Sequence, residues 1–242
     1  MFVVSVVLKY ILLFELNDQM DHKLIHFSRF KKTDIFRIDS LPVTCFQAKM
    51  AIDADGSPRA YHPDNTGLDD LKHGGYPGNW WGIATDNEMS GGKPLVQKES
   101  DPAPGYYVST TSLIDARYEY QNPLRYVNAE EIPYYVLPDH FSPAIRLGDI
   151  AWIYNTHNGK HSFAVFADVG PDVGEGSMYL AKKLGIDNHP RYGGVSSGIL
   201  YFIFEGSGIG NGRHVTEEQM IETGSKLLNR FSVQELITLF KK

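Results

Sequence analysis

Two carboxylates stand where the chain could use them together. Asp168 ends the apolar run Phe163-Ala164-Val165-Phe166-Ala167, and Glu175 follows between Gly174 and Gly176, just ahead of the helical pattern Met178, Ala181, Leu184. The turn Gly170-Pro171-Asp172 separates them, so one acid is fixed by a strand and the other by the entry to a helix. Acids held by opposite elements can face each other across a small gap. That is the geometry of glycosidic bond hydrolysis, in which one carboxylic acid protonates the leaving oxygen and a second carboxylate activates water or attacks the sugar. Asp168, leaving an apolar strand, is expected to have the raised pKa of a general acid. Glu175, near a helix N-terminus, is expected to stay ionised as the base.

Further candidates for holding a ligand lie on either side. Asp53-Ala54-Asp55-Gly56 is a strand end running into an Asx/Gly turn. It begins like a calcium loop but lacks the later ligands and the closing glutamate, so its expected role is to project Asp53 and Asp55 into a cleft. An ammonium–carboxylate contact there would be charge-assisted and would select a free amine over its acetylated form. Trp80 and Trp81 sit in the glycine-rich segment 74–82. Adjacent residues of extended backbone point opposite ways, so one can anchor the core while the other stacks on a sugar face. Asp86, Arg191 and Tyr192 complete the candidate binding set. His62 and His161 fall in no metal-ligand spacing, and neither a metal nor any other cofactor is expected.

The elements that must position these residues are mostly strands. A run from Val43 carries alternating Ala48, Met50 and Ile52. Gly105–Leu113 and Ile132–Leu137 read as strands, the second bounded by Pro133 and Pro138 as at an edge or a barrel rim. Asn158-Gly159 predicts a type I′ hairpin in which Tyr154 faces Phe163, Ile153 faces Ala164 and Trp152 faces Val165. On that register Asp168 shares the face of Ala164 and Phe166. Ser177 is expected to cap a short helix ended by Gly185, and Gly198–Glu205 is a further strand. The glycines of 206–212 fit neither G-x-G-x-x-G nor a phosphate loop and read as a turn. Thr216-x-x-Gln219 and Ser232-x-x-Glu235 are capping boxes for two terminal helices, expected to pack on the outside of the barrel.

The chain has 242 residues, a formal charge of -6 and a single cysteine, Cys45, so no internal disulfide can form. The charge argues against a nucleic-acid partner bound through a basic face. Residues 1–16 are apolar but interrupted by Lys9, too short to span a bilayer, and open to reading as a signal peptide, a buried edge strand or an upstream start. Residues 17–40 read as a linker or weakly structured lead-in. The division expected is a lead-in over 1–40, a barrel domain over 41–212, and helices over 213–242.

Four blocks of this sequence resemble the chitosanases of glycoside hydrolase family 75: MAIDADGSPRAYHP from Met50, GNWWGIATD from Gly78, GYYVSTTSL from Gly105 and FADVGPDVGEGSMYLAKKLGI from Phe166. The likeness covers about Gln47 to Gly210 and departs from the cysteine-bearing fungal members at Ala54. It implies a single six-stranded double-psi-like barrel, which with the helices read outside the resemblance makes the expected fold mainly β with peripheral helices. It further implies a secreted enzyme that cleaves β-1,4-linked glucosamine polymers (chitosan) with inversion, Asp168 and Glu175 being the essential acids, and a monomer is expected. Other readings remain open: a non-catalytic glycan-binding or cell-envelope protein, or a hydrolase of another amino-sugar polymer such as peptidoglycan.

Overall fold

The computed structural model describes residues 22–39 and 41–241; the readings of residues 1–16 therefore lie outside the described residues. Six strands close a barrel: β3 (Val43–Asp53), β6 (Tyr134–Leu137), β7 (Ile150–Asn155), β8 (His161–Val169), β9 (Glu175–Ser177) and β10 (Val195–Phe204). Their order around the ring is β3-β10-β7-β8-β6-β9, with β9 returning to β3. The pairings β3–β9 and β6–β8 are parallel and the rest antiparallel. The six-stranded barrel with peripheral helices that was expected is the architecture of the chain, and its sheet is mixed.

Alternation sorts the strand residues into two layers. Phe46, Met50, Ile52, Tyr135, Ala151, Ile153, Ala164, Phe166, Ile199 and Tyr201 form one cluster, which fills the barrel. Their neighbours Cys45, Val136, Trp152, Val165, Leu200 and Phe202 form the other, on the outer wall. Helix α3 (Glu217–Leu228), opened by the expected Thr216/Gln219 capping box, and helix α4 (Val233–Leu239) cover part of that wall with Met220, Leu236 and Ile237. At the second helix Ser232 occupies the N-cap without a side-chain hydrogen bond, so that capping box does not form.

Three local expectations are corrected. Residues 22–39 are not a loose lead-in: β1 (Leu24–Phe30) and β2 (Thr33–Ile38) make a hairpin whose second strand pairs with β3 and extends the sheet. The segment from Tyr134 is no edge strand. It lies between β8 and β9 with all four residues buried, and its flanking prolines only limit its length. The β7–β8 register is displaced by two residues, with Tyr154 opposite His161 and Trp152 opposite Phe163. Of the Asn158-Gly159 pair only the glycine has positive φ, at +75°, and a wider turn closed by Asn155 and Lys160 replaces type I′. A slip of two leaves every side chain on its expected face.

Residues 54–133, between β3 and β6, lie over the outer wall with little regular structure. They hold the short helix α1 (Leu71–Gly74), the two-residue strands β4 (Gly75–Tyr76) and β5 (Asn79–Trp80), and isolated bridges such as Ile83–Ser109 where a strand over 105–113 was expected. Small clusters of their own, Ala54, Ala60, Tyr61, Trp80 and Ile83 among them, stabilise this excursion. A long structured loop of this kind is where a rigid scaffold carries function.

Candidate functional site

The site lies between the outer wall of β8-β6-β9-β3 and the 54–133 excursion. Val136 of β6 pairs with Asp168 on one side and with Glu175 on the other, and Glu175 in turn pairs with Ala51. Residues laterally paired in a sheet share a face, so both acids project from the same side of it. Two strand spacings place their α-carbons about 9–10 Å apart.

Strict alternation would have turned Asp168 inward with Ala164 and Phe166. A register shift prevents this: Phe166 pairs with Tyr135 but Asp168 with Val136, so Ala167 is an extra residue in the strand. A bulge of this kind re-aims the side chain that follows it, and here it rotates Asp168 to the outer wall. Asp168 is 9% exposed there, and its Oδ1 accepts hydrogen bonds from Ser112 N (2.8 Å) and Ser112 Oγ (2.7 Å). Burial, reinforced by the charge of Asp53, raises its pKa to about 7 against those bonds.

Glu175 belongs to β9, ahead of the Ser177 cap of helix α2 (Met178–Lys183), so the helix N-terminus does not hold it as the sequence suggested. No hydrogen-bond donor reaches its carboxyl among the described residues. Burial, then the charges of Asp53 and Asp168, push it up to about 8, with Lys49 opposing. A Cβ on Gly170 would stand 2.8 Å from Val136 Cγ1 and 3.3 Å from Glu175 Oε2, so a glycine there leaves this carboxyl its room.

Asp53 and Asp55 join the pair. Asp53, 8% exposed, accepts the Asp55 N–H at 2.8 Å in the expected Asx turn, and burial raises it to about 6. Asp55 accepts the Tyr61 hydroxyl at 2.6 Å, while its own carbonyl accepts the Tyr134 hydroxyl at 2.9 Å. Burial and the charges of Asp53, Asp168 and Glu175 hold its carboxyl well above the usual range. Four acids that feel one another cannot all be ionised near neutrality. Yet no three His, Cys, Asp or Glu side chains are gathered closely enough to hold a metal ion among the described residues.

The other candidates divide. Trp80 is 6% exposed and anchors the excursion against Tyr61 and Ile83, whereas Trp81 is 55% exposed, edge-on to Tyr76. The opposite orientation expected of neighbours thus holds. Asp86 is not brought to the four acids; it accepts the Lys93 N–H at 2.9 Å and lines a separate cleft of about 570 Å³ with Glu88, Asp101 and Tyr120. Arg191 is a clamp: its guanidinium donates to the carbonyls of Asn65, Gly67, Leu68 and Asp69 and pairs with Asp70 at 3.2 Å. Tyr192 stands in solvent, stacked 3.6 Å from the His189 ring.

Sequence reasoning passed over Tyr61, Ser112, Tyr134, Asp69 and His73. Ser112 lies in the segment Thr110-Thr111-Ser112-Leu113, where nothing distinguishes it from its neighbours; only the closure of the excursion onto β8 selects it. Neither a scan against protein-family models nor a search of curated proteins finds a match to this chain.

Proposed function

We propose that this chain is a glycoside hydrolase that cleaves β-1,4-linked glucosamine polymers with inversion at the anomeric carbon. The observation that carries the reading is the lateral row Asp168–Val136–Glu175. It aims two carboxyls at one volume from α-carbons two strands apart, a spacing compatible with the roughly 6.5–9.5 Å between carboxyls that leaves room for a sugar linkage and a water. The roles run opposite to those the sequence suggested. Glu175, unassisted and pushed to about 8, carries the proton at neutral pH and protonates the leaving oxygen. Asp168, with two Ser112 donors stabilising its charged form, ionises first and draws the proton from the attacking water. Asp53 and Asp55 face the ammonium groups of the polymer, which supply the positive charge that these buried acids lack. A polymer of this kind is met outside the cell, and an extracytoplasmic enzyme acting as a monomer is part of the same proposal.

The test is reducing-end release from chitosan, partly acetylated chitin and peptidoglycan by the wild type and by D168N and E175Q. Both variants are expected to fold and to lose at least about 10³-fold in kcat, within the range of removing a catalytic acid or base and more. Proton NMR of the first-formed product should show the inverted anomer. Retention of glycan without turnover by the wild type would instead establish a binding module, and either variant keeping full activity would remove the pair.

A further inference from the structure

Outside the four acids, one titratable pair is built as carefully as they are. Asp69 is 4% exposed, and its two carboxylate oxygens lie 3.0 and 2.9 Å from His73 Nδ1, while Oδ1 also accepts the Asp70 N–H at 2.7 Å. A buried carboxylate on Nδ1 fixes both the tautomer and the plane of the ring, leaving Nε2 as the working nitrogen. The His73 side chain is half-exposed, and among the described residues Nε2 has no protein partner. The segment bearing the pair is held from outside by the Arg191 clamp on the carbonyls of Asn65, Gly67, Leu68 and Asp69. The clamp adds to the backbone bonds of the loop itself, in which Leu68 and Asp69 donate to the carbonyls of Arg59 and Ala60.

The pair adjoins the site. Gly74, next to His73, is packed so closely that a Cβ there would stand 2.8 Å from the ring of Tyr61, the residue whose hydroxyl holds Asp55. Gly82 is wedged between Gly74 and the Asp55 carboxyl, its missing Cβ 3.1 Å from the one and 3.0 Å from the other. The His73 carbonyl accepts the indole N–H of exposed Trp81 at 2.6 Å, which sets the imidazole and the aromatic platform on one short stretch of rim. The charges of Asp69 and His73 are both felt at Asp53.

We infer that His73, oriented by Asp69, is a specificity-determining contact for the glycan at the rim of the acid cleft, its Nε2 pairing with a sugar hydroxyl or amine while Trp81 supports the ring face. The inference rests on the proposed glycan-hydrolase reading and deepens it. With Nδ1 donating to Asp69, Nε2 accepts a hydrogen bond from an amine or hydroxyl and has no proton to give an acetamide oxygen, so the contact favours a free amine over its acetylated form.

The experiment measures KM and kcat on glucosamine hexamer and on N-acetylglucosamine hexamer at one neutral pH, for wild type, H73A, H73Q and D69N. Loss of one hydrogen bond predicts a KM for glucosamine hexamer about five- to tenfold higher in H73A, with kcat within about twofold. H73Q, whose amide can donate as well as accept, should restore part of the affinity but move the ratio between the two hexamers towards the acetylated one. D69N should fall between wild type and H73A. Melting temperatures separate these effects from misfolding, since a purely structural histidine would lower stability without changing the hexamer ratio. Unchanged KM in H73A, or a hexamer ratio in H73Q equal to that of wild type, overturns the inference while leaving the hydrolase reading intact. If the wild type cleaves neither hexamer, calorimetric titration of wild type and H73A with glucosamine hexamer decides. Weaker binding in H73A then supports the contact without the hydrolase, and equal or no binding removes it.

Discussion

Asp53 is the acid through which the others are tuned, because its charge adds to the burial that raises both Asp168 and Glu175. Removing that charge makes both easier to ionise. D53N is therefore expected to move both limbs of the kcat/KM–pH profile to lower pH, by about one unit or less, while retaining measurable turnover. The same acids carry a stability cost of definite sign. The folded-state pKa of Glu175, about 8, exceeds the ordinary value of 4.5, so the native state binds more protons than the unfolded chain between those values, and stability falls as pH rises through that window. E175Q, which carries no charge at any pH, should melt with wild type near pH 4 and gain on the order of 5 kcal/mol over it by pH 9. Thermal melts across that range check the prediction; an advantage that shrinks with rising pH would contradict it. Asp53, Asp55, Asp168 and Glu175 were all visible in the sequence as acids beside turns. Their mutual approach was not, since it depends on which strands become neighbours.

Among the elements, the barrel strands follow the sequence pattern closely and the turns less so. The Gly206–Gly212 turn is a case where a buried side chain replaces regular pairing. Asp149, 1% exposed, accepts the N–H groups of Arg146 (2.9 Å), Gly206 (3.0 Å) and Gly208 (2.9 Å). D149A would leave three donors without that acceptor and is expected to cost about 3 kcal/mol or more, read from urea unfolding at constant m-value. D149N, which retains an acceptor oxygen, should cost less. At β7–β8 the Asn-Gly pair announced a hairpin, and a hairpin formed, but the width of its turn was decided by strand pairing that short-range propensity does not contain. The bulge at Ala167 is the more consequential departure. No residue type signals it, and it moves Asp168 from the barrel interior to the outer wall.

At the scale of the molecule, the sheet is lengthened by the β1–β2 hairpin and the outer wall is shared between two covers, the 54–133 excursion and the terminal helices. The second cover depends on close approach: a Cβ on Gly224 of α3 would collide with the ring of Phe163 on β8. Gly224→Leu should therefore lift the helix, lowering stability by about 2 kcal/mol and the melting temperature by roughly 4–8 °C despite its better helix propensity. Because α3 packs on the β7–β8 side, kcat of this variant should stay close to wild type at a temperature where both are folded; a large loss there would mean that the two covers are coupled.

The sequence by itself determined five of the six barrel strands (β9 read as part of a turn), the capped helix after Ser177, the opposite fates of Trp80 and Trp81, and the acids at 53, 55, 168 and 175. Each of these follows from alternation, capping or turn chemistry within a few residues. Tertiary structure alone decided that Val136 stands between Asp168 and Glu175, that Ser112 reaches Asp168, that Arg191 is a clamp, and that Asp86 belongs to another cleft. Those relations join residues far apart in the chain, and they exist only once the ring of strands closes and residues 54–133 settle against its wall.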